Sequence, residues 1–186
     1  MVRIAVFCGS SMGAREEYEG AAKALGEELA RRNIELVYGG GHVGLMGVIA
    51  DAVLAAGGKV TGVIPVALKE KEIEHTGLTE LFVVADMHER KAKMAELSDA
   101  FIAMPGGAGT LEEIFEVWTW SQLGYHSKPS CFYNAFGYYD KLLDFIRHMQ
   151  DERFLSQGYI DALIIKENPA QLLDAILSYQ APPGKW

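Results

Sequence analysis

The chain contains few of the features that mark secreted, membrane-spanning or disulfide-linked proteins. Only two of its 186 residues are cysteines, Cys8 and Cys131, which are too few for a disulfide framework. The N-terminal apolar run from Ile4 to Cys8 is too short for a signal peptide, and no segment is apolar over the length that a bilayer requires. We therefore expect a cytoplasmic protein without a membrane partner.

Positive charge is also scarce. The 17 lysines and arginines face 25 aspartates and glutamates, which gives a net charge of -8 at pH 7, and they form no basic run. Nucleic acids and anionic membranes attract basic surfaces, so neither is expected as a partner. An anionic small molecule would have to be held locally, by donors at one site.

Length and apolar content fit a single enzyme-sized domain. Hydrophobic residues make up 49% of the chain, and the 20 glycines and 6 prolines are spread along it rather than gathered in linkers. We expect one α/β domain over residues 1–180 and a loose C-terminal tail over residues 181–186.

Short β-rich runs alternate with segments of helical periodicity. The predicted strands are Arg3 to Cys8, Glu35 to Tyr38, Val60 to Ile64, Leu81 to Val84, Ala100 to Met104, Ser130 to Tyr133 and Leu163 to Ile165. The predicted helices lie near Glu16 to Arg32, Leu45 to Ala56, Met87 to Ser98, Leu111 to Gln122, Tyr138 to Asp151 and Pro169 to Tyr179. This order predicts a doubly wound α/β fold, with a mostly parallel sheet of about seven strands and helices on both faces, a modified Rossmann fold.

Ligands of such sheets bind at the carboxyl ends of the strands, and three strand ends here carry glycine. Gly9 and Ser10 follow the first strand, Gly39 to Gly41 follow the second, and Gly106 to Gly109 follow the fifth. Glycine lets a backbone approach a ligand closely, but it also makes tight turns, and for Gly9 both interpretations stay open. Three such loops on one edge indicate a ligand that spans several strands, as a nucleotide would.

The loop after the fifth strand carries the strongest signal. Thr110 and Glu113 have capping-box spacing, which predicts a helix start at this point. A helix start offers free N–H groups and a positive dipole end, and it can hold a phosphate without a lysine. Glu112 and Glu113 lie about 100° apart around the helix, so only one of them can face a small site. From the residues alone, the capping role is the first interpretation of Glu113.

Two familiar motifs fit this chain only in part. Gly39, Gly41 and Gly44 form G-x-G-x-x-G, but the next strand ends in Pro65 rather than in the acidic residue that a Rossmann NAD site requires. Residues 9–13 fit G-x-S-x-G, but the first strand has no earlier loop to supply an oxyanion donor. We therefore predict that Ser10 and Ser11 are at most hydroxyl donors to a ligand.

A second charged segment follows the fourth strand. Asp86 is predicted to cap a helix, which places Arg90 and Lys91 near the positive dipole end, where cations are disfavoured. This placement indicates a function for Arg90. Lys91 fits a functional role and a solvated helix face equally, since Glu89 and Lys93 could pair there.

Three segments match one known family. Pro105 to Glu113 fits the pattern P-G-G-x-G-T-x-x-E, Met87 to Lys91 fits an Arg-Lys segment, and Gly39 to Gly47 reads GGGHVGLMG. On these segments, and through nearly the whole chain, the sequence resembles the LOG (Lonely Guy) family. The resemblance implies a cytokinin riboside 5'-monophosphate phosphoribohydrolase, a dimer that cleaves the N-glycosidic bond of adenine-type nucleotides, in some members AMP. The alternative is a non-catalytic nucleotide or phosphorylated-metabolite carrier on the same fold.

The resemblance also implies roles for individual residues. Glu113 would be the catalytic carboxylate and Arg90 its catalytic partner, and Ala108 stands where many relatives carry tyrosine. The expected substrate-binding residues are Gly9, Ser10, Gly40, Gly41, Glu72, Lys91, Gly107, Ala108, Gly109, Thr110, Leu111, Glu112 and Thr119.

Neither a metal nor a cofactor is expected. The five histidines show no metal-ligand spacing. An older label for such proteins, possible lysine decarboxylase, is not supported by the residues, since no lysine has the partners of a Schiff base. The helix from Leu111 to Gln122 is apolar on more than one face, which predicts burial all round, in the core or at the contact of a symmetric homodimer.

Overall fold

A computed structural model describes residues 1–69, 71 and 74–181. The strands are β1 (Arg3–Phe7), β2 (Glu35–Tyr38), β3 (Val60–Pro65), β4 (Glu80–Val84), β5 (Ala100–Ala103), β6 (Ser130–Tyr133) and β7 (Ile164–Lys166). The helices are α1 (Glu17–Arg31), α2 (Gly44–Ala55), α3 (Val66–Lys69), α4 (Met87–Leu97), α5 (Ala108–Gln122), α6 (Asp140–Asp151), α7 (Gln157–Asp161) and α8 (Pro169–Leu177). Glu72 and residues 182–186 of the predicted tail lie outside the described residues.

The seven strands form one sheet in the order β4-β3-β2-β1-β5-β6-β7, and every neighbouring pair is parallel. The chain winds outward from β1 to β4 on one side, returns to the centre at β5 and winds outward on the other side. The predicted doubly wound sheet is confirmed. Its switch point falls between β1 and β5, where Ile4 pairs with Ala100. A crevice forms at such a point, beyond the carboxyl ends of the strands.

The sheet is buried on both faces because successive side chains of a strand point in opposite directions. In β1, Ile4 and Val6 pack in one core with α1, α2 and α8, whereas Ala5 and Phe7 pack in the other core with α4, α5 and α6. These two cores fix the central strands, and with them the loops at their carboxyl ends. Among the described helices, none is both long and apolar enough to cross a membrane.

Two predicted helix starts are confirmed by their caps. The Asp86 carboxylate accepts hydrogen bonds from the amides of His88 and Glu89, at 2.8 and 2.9 Å. The Asn168 side chain accepts one from the amide of Gln171, and Pro169 occupies the first turn of α8. These caps fix the orientation of α4, which carries Arg90, and of α8.

The predicted capping box at Thr110 is wrong. Helix α5 begins at Ala108, three residues before the predicted Leu111, and its N-cap is Gly107, to which no side-chain hydrogen bond is made. The first helical bond runs from the amide of Leu111 to the Gly107 carbonyl, 3.2 Å. Thr110 therefore lies inside the first turn, and Glu113 does not cap the helix.

The sequence also did not predict the short elements of the fold. Helices α3 and α7 have four and five residues, and a 3-10 turn over Ala135–Gly137 precedes α6. This turn delays α6, which begins at Asp140 rather than at Tyr138. Just before α6, the amide of Tyr139 donates to the Asn134 side chain at 2.7 Å.

Candidate active site

A cavity of about 440 Å³ opens at the carboxyl edge of the sheet, over the switch point. It is bounded by the loops that follow β1, β2 and β5, by the end of β3 and by α3, and by the first turns of α2, α4 and α5. Its lining residues are Cys8, Gly9, Ser10, Gly39, Gly41, Val43, Met46, Ile64, Leu68, Met87, Arg90, Gly107, Ala108, Gly109, Thr110, Glu112 and Glu113. Three separate glycine segments predicted from the sequence thus meet at one site.

Direct backbone contacts lock these loops together. The amide of Gly9 donates to the Pro105 carbonyl at 3.0 Å, and the Gly9 carbonyl accepts from the amide of Leu45 at 3.1 Å. A Cβ atom at Gly44 would lie 2.3 Å from the backbone of Ser10, and Gly44 also has a positive φ of 57°. Only glycine allows this approach. Backbone hydrogen bonds and the close approach at Gly44 therefore hold the loops around the cavity in place.

The N-terminus of α5 faces the cavity with its amides uncovered. A helix leaves its first N–H groups without intrahelical partners, and within the described chain no side chain caps α5. A Cβ atom added at Gly107 or Gly109 would meet nothing within 4 Å, so open space lies beside both glycines. Since the dipole adds positive potential there, this end of the cavity is suited to an anion such as a phosphate.

Glu113 lies one turn further along the same helix and also lines the cavity. It is only 9% exposed. Burial, which disfavours the charged carboxylate, raises the pKa of Glu113 to about 7, while the nearby Arg90 acts in the opposite direction. Near neutral pH this carboxyl group therefore exchanges readily between its two protonation states.

Arg90 is buried against the carboxyl ends of β2 and β3. Its Nε donates to the Val63 carbonyl at 3.2 Å, and one terminal nitrogen donates to the Gly39 carbonyl at 3.1 Å. The other terminal nitrogen, Nη1, lies 4.0 Å from Glu113 Oε1 and 3.7 Å from the Met87 sulfur. A Cβ atom at Gly39 would lie 1.7 Å from the guanidinium. Arg90 thus occupies the space that any side chain at position 39 would need.

Lys91, in contrast, is not among the lining residues of the cavity. Its Nζ lies 2.5 Å from Glu112 Oε1 and 3.2 Å from the Glu116 carboxylate, and it links α4 to α5. The hydrogen bond that the Lys91 ammonium donates to Glu112 raises the pKa of Lys91, although burial opposes the shift. Lys91 therefore joins two helices. Of this group Glu112 lines the cavity, as Glu113 does, so the prediction that only one of these two glutamates faces the site is wrong.

Three other predicted substrate-binding residues lie outside the lining of the described cavity. Leu111 packs against the core beneath α5. Thr119 is exposed two turns further along the helix, and its hydroxyl donates to the Phe115 carbonyl. Gly40 packs against β3, since a Cβ atom at this position would be 3.1 Å from the Ile64 side chain.

One wall of the cavity is apolar and was not predicted from the sequence. It consists of Val43, Met46, Ile64, Leu68 and Met87. These residues come from four different segments that only the sheet topology brings together, so no local pattern could reveal them. A cavity that combines these apolar side chains with an anion-binding helix end is suited to a ligand with one charged end and one largely apolar end.

Cys8 also lines the cavity, close to Glu113. Burial raises the pKa of the Cys8 thiol, and the nearby Glu113 acts in the same direction. A buried thiol that stays protonated is a poor nucleophile. Within the described residues, no group of three or more His, Cys, Asp or Glu side chains is placed to hold a metal ion.

Solved structures of known proteins share this architecture. A molybdenum cofactor binding protein from Rippkaea orientalis superposes with a TM-score of 0.73 at 21% sequence identity, and the match covers 95% of this chain and 96% of that one. The Moco carrier protein from Chlamydomonas reinhardtii gives a TM-score of 0.72 at 19% identity and covers 95% of each chain. At these identities the similarity establishes the fold alone.

Sequence comparison identifies the family. The family model described as "Possible lysine decarboxylase" matches residues 46–176. The probable cytokinin riboside 5'-monophosphate phosphoribohydrolase LOGL6 of Oryza sativa subsp. japonica is 51% identical over 177 residues, which cover 95% of this chain and 71% of the relative. The cytokinin riboside 5'-monophosphate phosphoribohydrolase LOG5 of Arabidopsis thaliana is 49% identical over 178 residues, 96% of this chain and 78% of the relative. The chain belongs to the LOG family.

Proposed function

We propose that this chain hydrolyses the N-glycosidic bond of adenine-type nucleoside 5'-monophosphates, namely cytokinin riboside 5'-monophosphate, AMP or both. The products are the free base and ribose 5-phosphate. The observation that carries the proposal is the position of Glu113, a buried carboxylate one turn into a helix whose amide end faces the same cavity. The names of relatives that are 51% and 49% identical support it.

The chemistry of the bond explains why a buried carboxylate is useful there. Breaking a ribosyl C–N bond builds positive, oxocarbenium-like charge on the sugar. Burial destabilises the charged form of Glu113 and Arg90 offsets only part of this cost, so the carboxylate is stabilised further when a cation forms beside it. The same group can orient or deprotonate the attacking water. Water then adds to the anomeric carbon as the bond to the base breaks, and the proton that the water loses to Glu113 ends on the nitrogen of the departing base, which leaves as the neutral base.

The phosphate supplies binding energy at a distance from the reacting bond. Held by the amides of Gly107 to Thr110, it would place the ribose against Glu113, which lies one turn further into the helix. In this arrangement the apolar wall of the cavity receives the base. Arg90 also lines the cavity, with its Nη1 4.0 Å from Glu113 Oε1, and would complement negative charge on the leaving base.

A Schiff-base decarboxylase fits this site poorly. No lysine is among the lining residues of the described cavity, and Lys91, the nearest candidate in the sequence motif, is paired with Glu112 and Glu116. A decarboxylase that uses pyridoxal phosphate needs a lysine whose amine is free to bond the cofactor.

The test of the proposal is a product assay on the purified protein. The protein is incubated with AMP and, separately, with its N6-isopentenyl derivative, and the mixture is chromatographed for free base and ribose 5-phosphate. Equal amounts of both products support hydrolysis. Binding of either nucleotide without release of a base would contradict it and would favour the carrier alternative.

We further propose that the chain is a symmetric homodimer that uses an exposed stripe of α5. Burial of this helix all round is not found in the single chain, because Leu123 after its last turn is 53% exposed and Phe115 and Trp120 are only partly buried. Leu123 and Thr119 lie on the same stripe as Glu112, at helical spacing. A second copy that covers this stripe would bury the remaining apolar surface. The cytoplasmic location stays a prediction.

A further inference from the structure

Two adjacent tyrosines hold the loop that precedes α5. The Tyr139 hydroxyl donates to the Met104 carbonyl at 2.5 Å, and the Tyr138 hydroxyl donates to the Gly106 carbonyl, also at 2.5 Å. Both side chains come from the segment between β6 and α6, which carries no cavity-lining residue. Together they hold the Met104–Gly106 segment through two of its carbonyls.

The two bonds differ in what they control. In a trans peptide the carbonyl and the following N–H point in opposite directions, and no cis peptide occurs in the described chain. The carbonyl of Met104 is followed by Pro105, which has no N–H to direct. The carbonyl of Gly106 is followed by the N–H of Gly107, the cavity-lining N-cap of α5. The hydrogen bond of Tyr138 therefore fixes the direction of the Gly107 N–H donor, whereas that of Tyr139 fixes only the position of the main chain.

This peptide needs an external restraint. Gly106 and Gly107 lack Cβ atoms, so the backbone between them has more accessible conformations than any other pair would have. The Tyr138 ring is itself held by edge-on contacts with Tyr139, 4.9 Å between ring centroids, and with Tyr18, 5.6 Å. The hydroxyl of Tyr138 is thus presented to the loop by a packed ring although the residue is 40% exposed.

We propose that Tyr138 is a positioning residue for the phosphate of the substrate. By fixing the Gly106 carbonyl it directs the N–H of Gly107 into the cavity, where it adds a donor to the amide end of α5. Tyr138 itself does not touch the ligand. The inference rests on the proposed function, since it names the residue that prepares the phosphate site of that function.

The experiment compares Tyr138→Phe with Tyr139→Phe, which lose the same hydroxyl from neighbouring rings. Both are made in the Glu113→Gln background, so that the ligand is not consumed, and the dissociation constants of AMP and adenosine are measured by calorimetry. We expect Tyr138→Phe to weaken AMP binding about two- to twelve-fold, the effect of one lost neutral hydrogen bond, and to leave adenosine binding within about twofold. Tyr139→Phe lowers Tm but leaves the ratio of the two constants unchanged.

With Glu113 intact, Tyr138→Phe raises KM for AMP and leaves kcat nearly unchanged, as expected when uniform binding energy is lost. Equal weakening of AMP and adenosine, or no weakening of AMP, would overturn the inference, and so would AMP binding no tighter than adenosine binding in the Glu113→Gln parent. Turnover of the wild-type chain is scored separately. If AMP binds but no base is released, the proposed function fails while the binding ratios still decide the role of Tyr138.

Discussion

Arg90 Nη1 lies 4.0 Å from Glu113 Oε1, which is beyond hydrogen-bond distance. The guanidinium donates instead to the backbone carbonyls of Gly39 and Val63. Arg90 therefore offsets only part of the cost of burying the Glu113 carboxylate, and the pKa of Glu113 remains raised to about 7. A carboxylate in this state stabilises a developing cation more than it stabilises a neutral sugar.

The first prediction concerns this carboxylate. Glu113→Gln keeps the size of the side chain but removes the charge and the base, and we expect turnover of AMP to fall about 10²- to 10⁴-fold. The matched control is Glu116→Gln, one turn along α5 and outside the cavity lining. Turnover rates and circular dichroism of both variants check the prediction. Loss of turnover in both, or in neither, would contradict the role of Glu113.

The raised pKa also predicts how stability depends on pH. Glu113 has a pKa of about 7 in the folded chain and an ordinary value of 4.5 in the unfolded chain. Between these two pH values the folded state therefore binds more protons than the unfolded state. The free energy of unfolding contributed by this group therefore falls as pH rises from 4.5 to 7, by up to about 3 kcal/mol. Denaturant titrations of wild type and Glu113→Gln should coincide below pH 4.5 and diverge above it, with the variant more stable. If the free energies of unfolding of the two proteins change with pH in parallel, the raised pKa of Glu113 is excluded.

The third prediction concerns Gly39, which makes room for Arg90. Gly39→Ala would place a Cβ atom 1.7 Å from the guanidinium and force it out of its site. We expect a fall in turnover of about 10²-fold or more, because even small displacements in an active site are costly. Gly20→Ala on α1 is the matched control, since a Cβ there meets nothing within 4 Å. A Gly39→Ala variant as active as Gly20→Ala would show that Arg90 need not occupy this position.

The fourth prediction concerns assembly. Leu123→Glu places a charge on the exposed stripe of α5, and we expect it to convert a dimer to a monomer at micromolar concentration. Leu177→Glu at the end of α8 is an equally exposed control, since both leucines are 53% exposed. Light scattering after size-exclusion chromatography gives the masses. A wild-type chain that elutes as a monomer, or dissociation by both variants, would refute this interface.

Part of the fold and of the candidate site could be predicted from the sequence, because these features depend on local patterns. Each central strand is a short apolar run, and the glycine segments follow these runs directly, so the doubly wound fold and the three converging loops were predictable. Asp86 and Asn168 are both residue types that favour the N-cap position, and each directly precedes a helix in the sequence.

The failures have a physical reason as well. Thr110 and Glu113 have capping-box spacing, but Gly107 can begin the helix without a side-chain cap, so the true start lies three residues earlier. Tyr138 and the apolar wall gave no signal, because their contacts join segments far apart in the chain. The contact of Tyr138 with Gly106 spans 32 residues. Such pairs follow from the order of strands in the sheet and not from local periodicity.

In the proposed complex Glu113 lies against the sugar of a nucleotide whose phosphate is held at the start of α5. A crystal structure of the Glu113→Gln variant with AMP tests it most directly. We predict the phosphate on the amides of Gly107 to Thr110, and the anomeric carbon within about 3.5 Å of the residue 113 side chain or of a water bound to it. A phosphate bound elsewhere, or a side chain turned away from the anomeric carbon, would contradict the account.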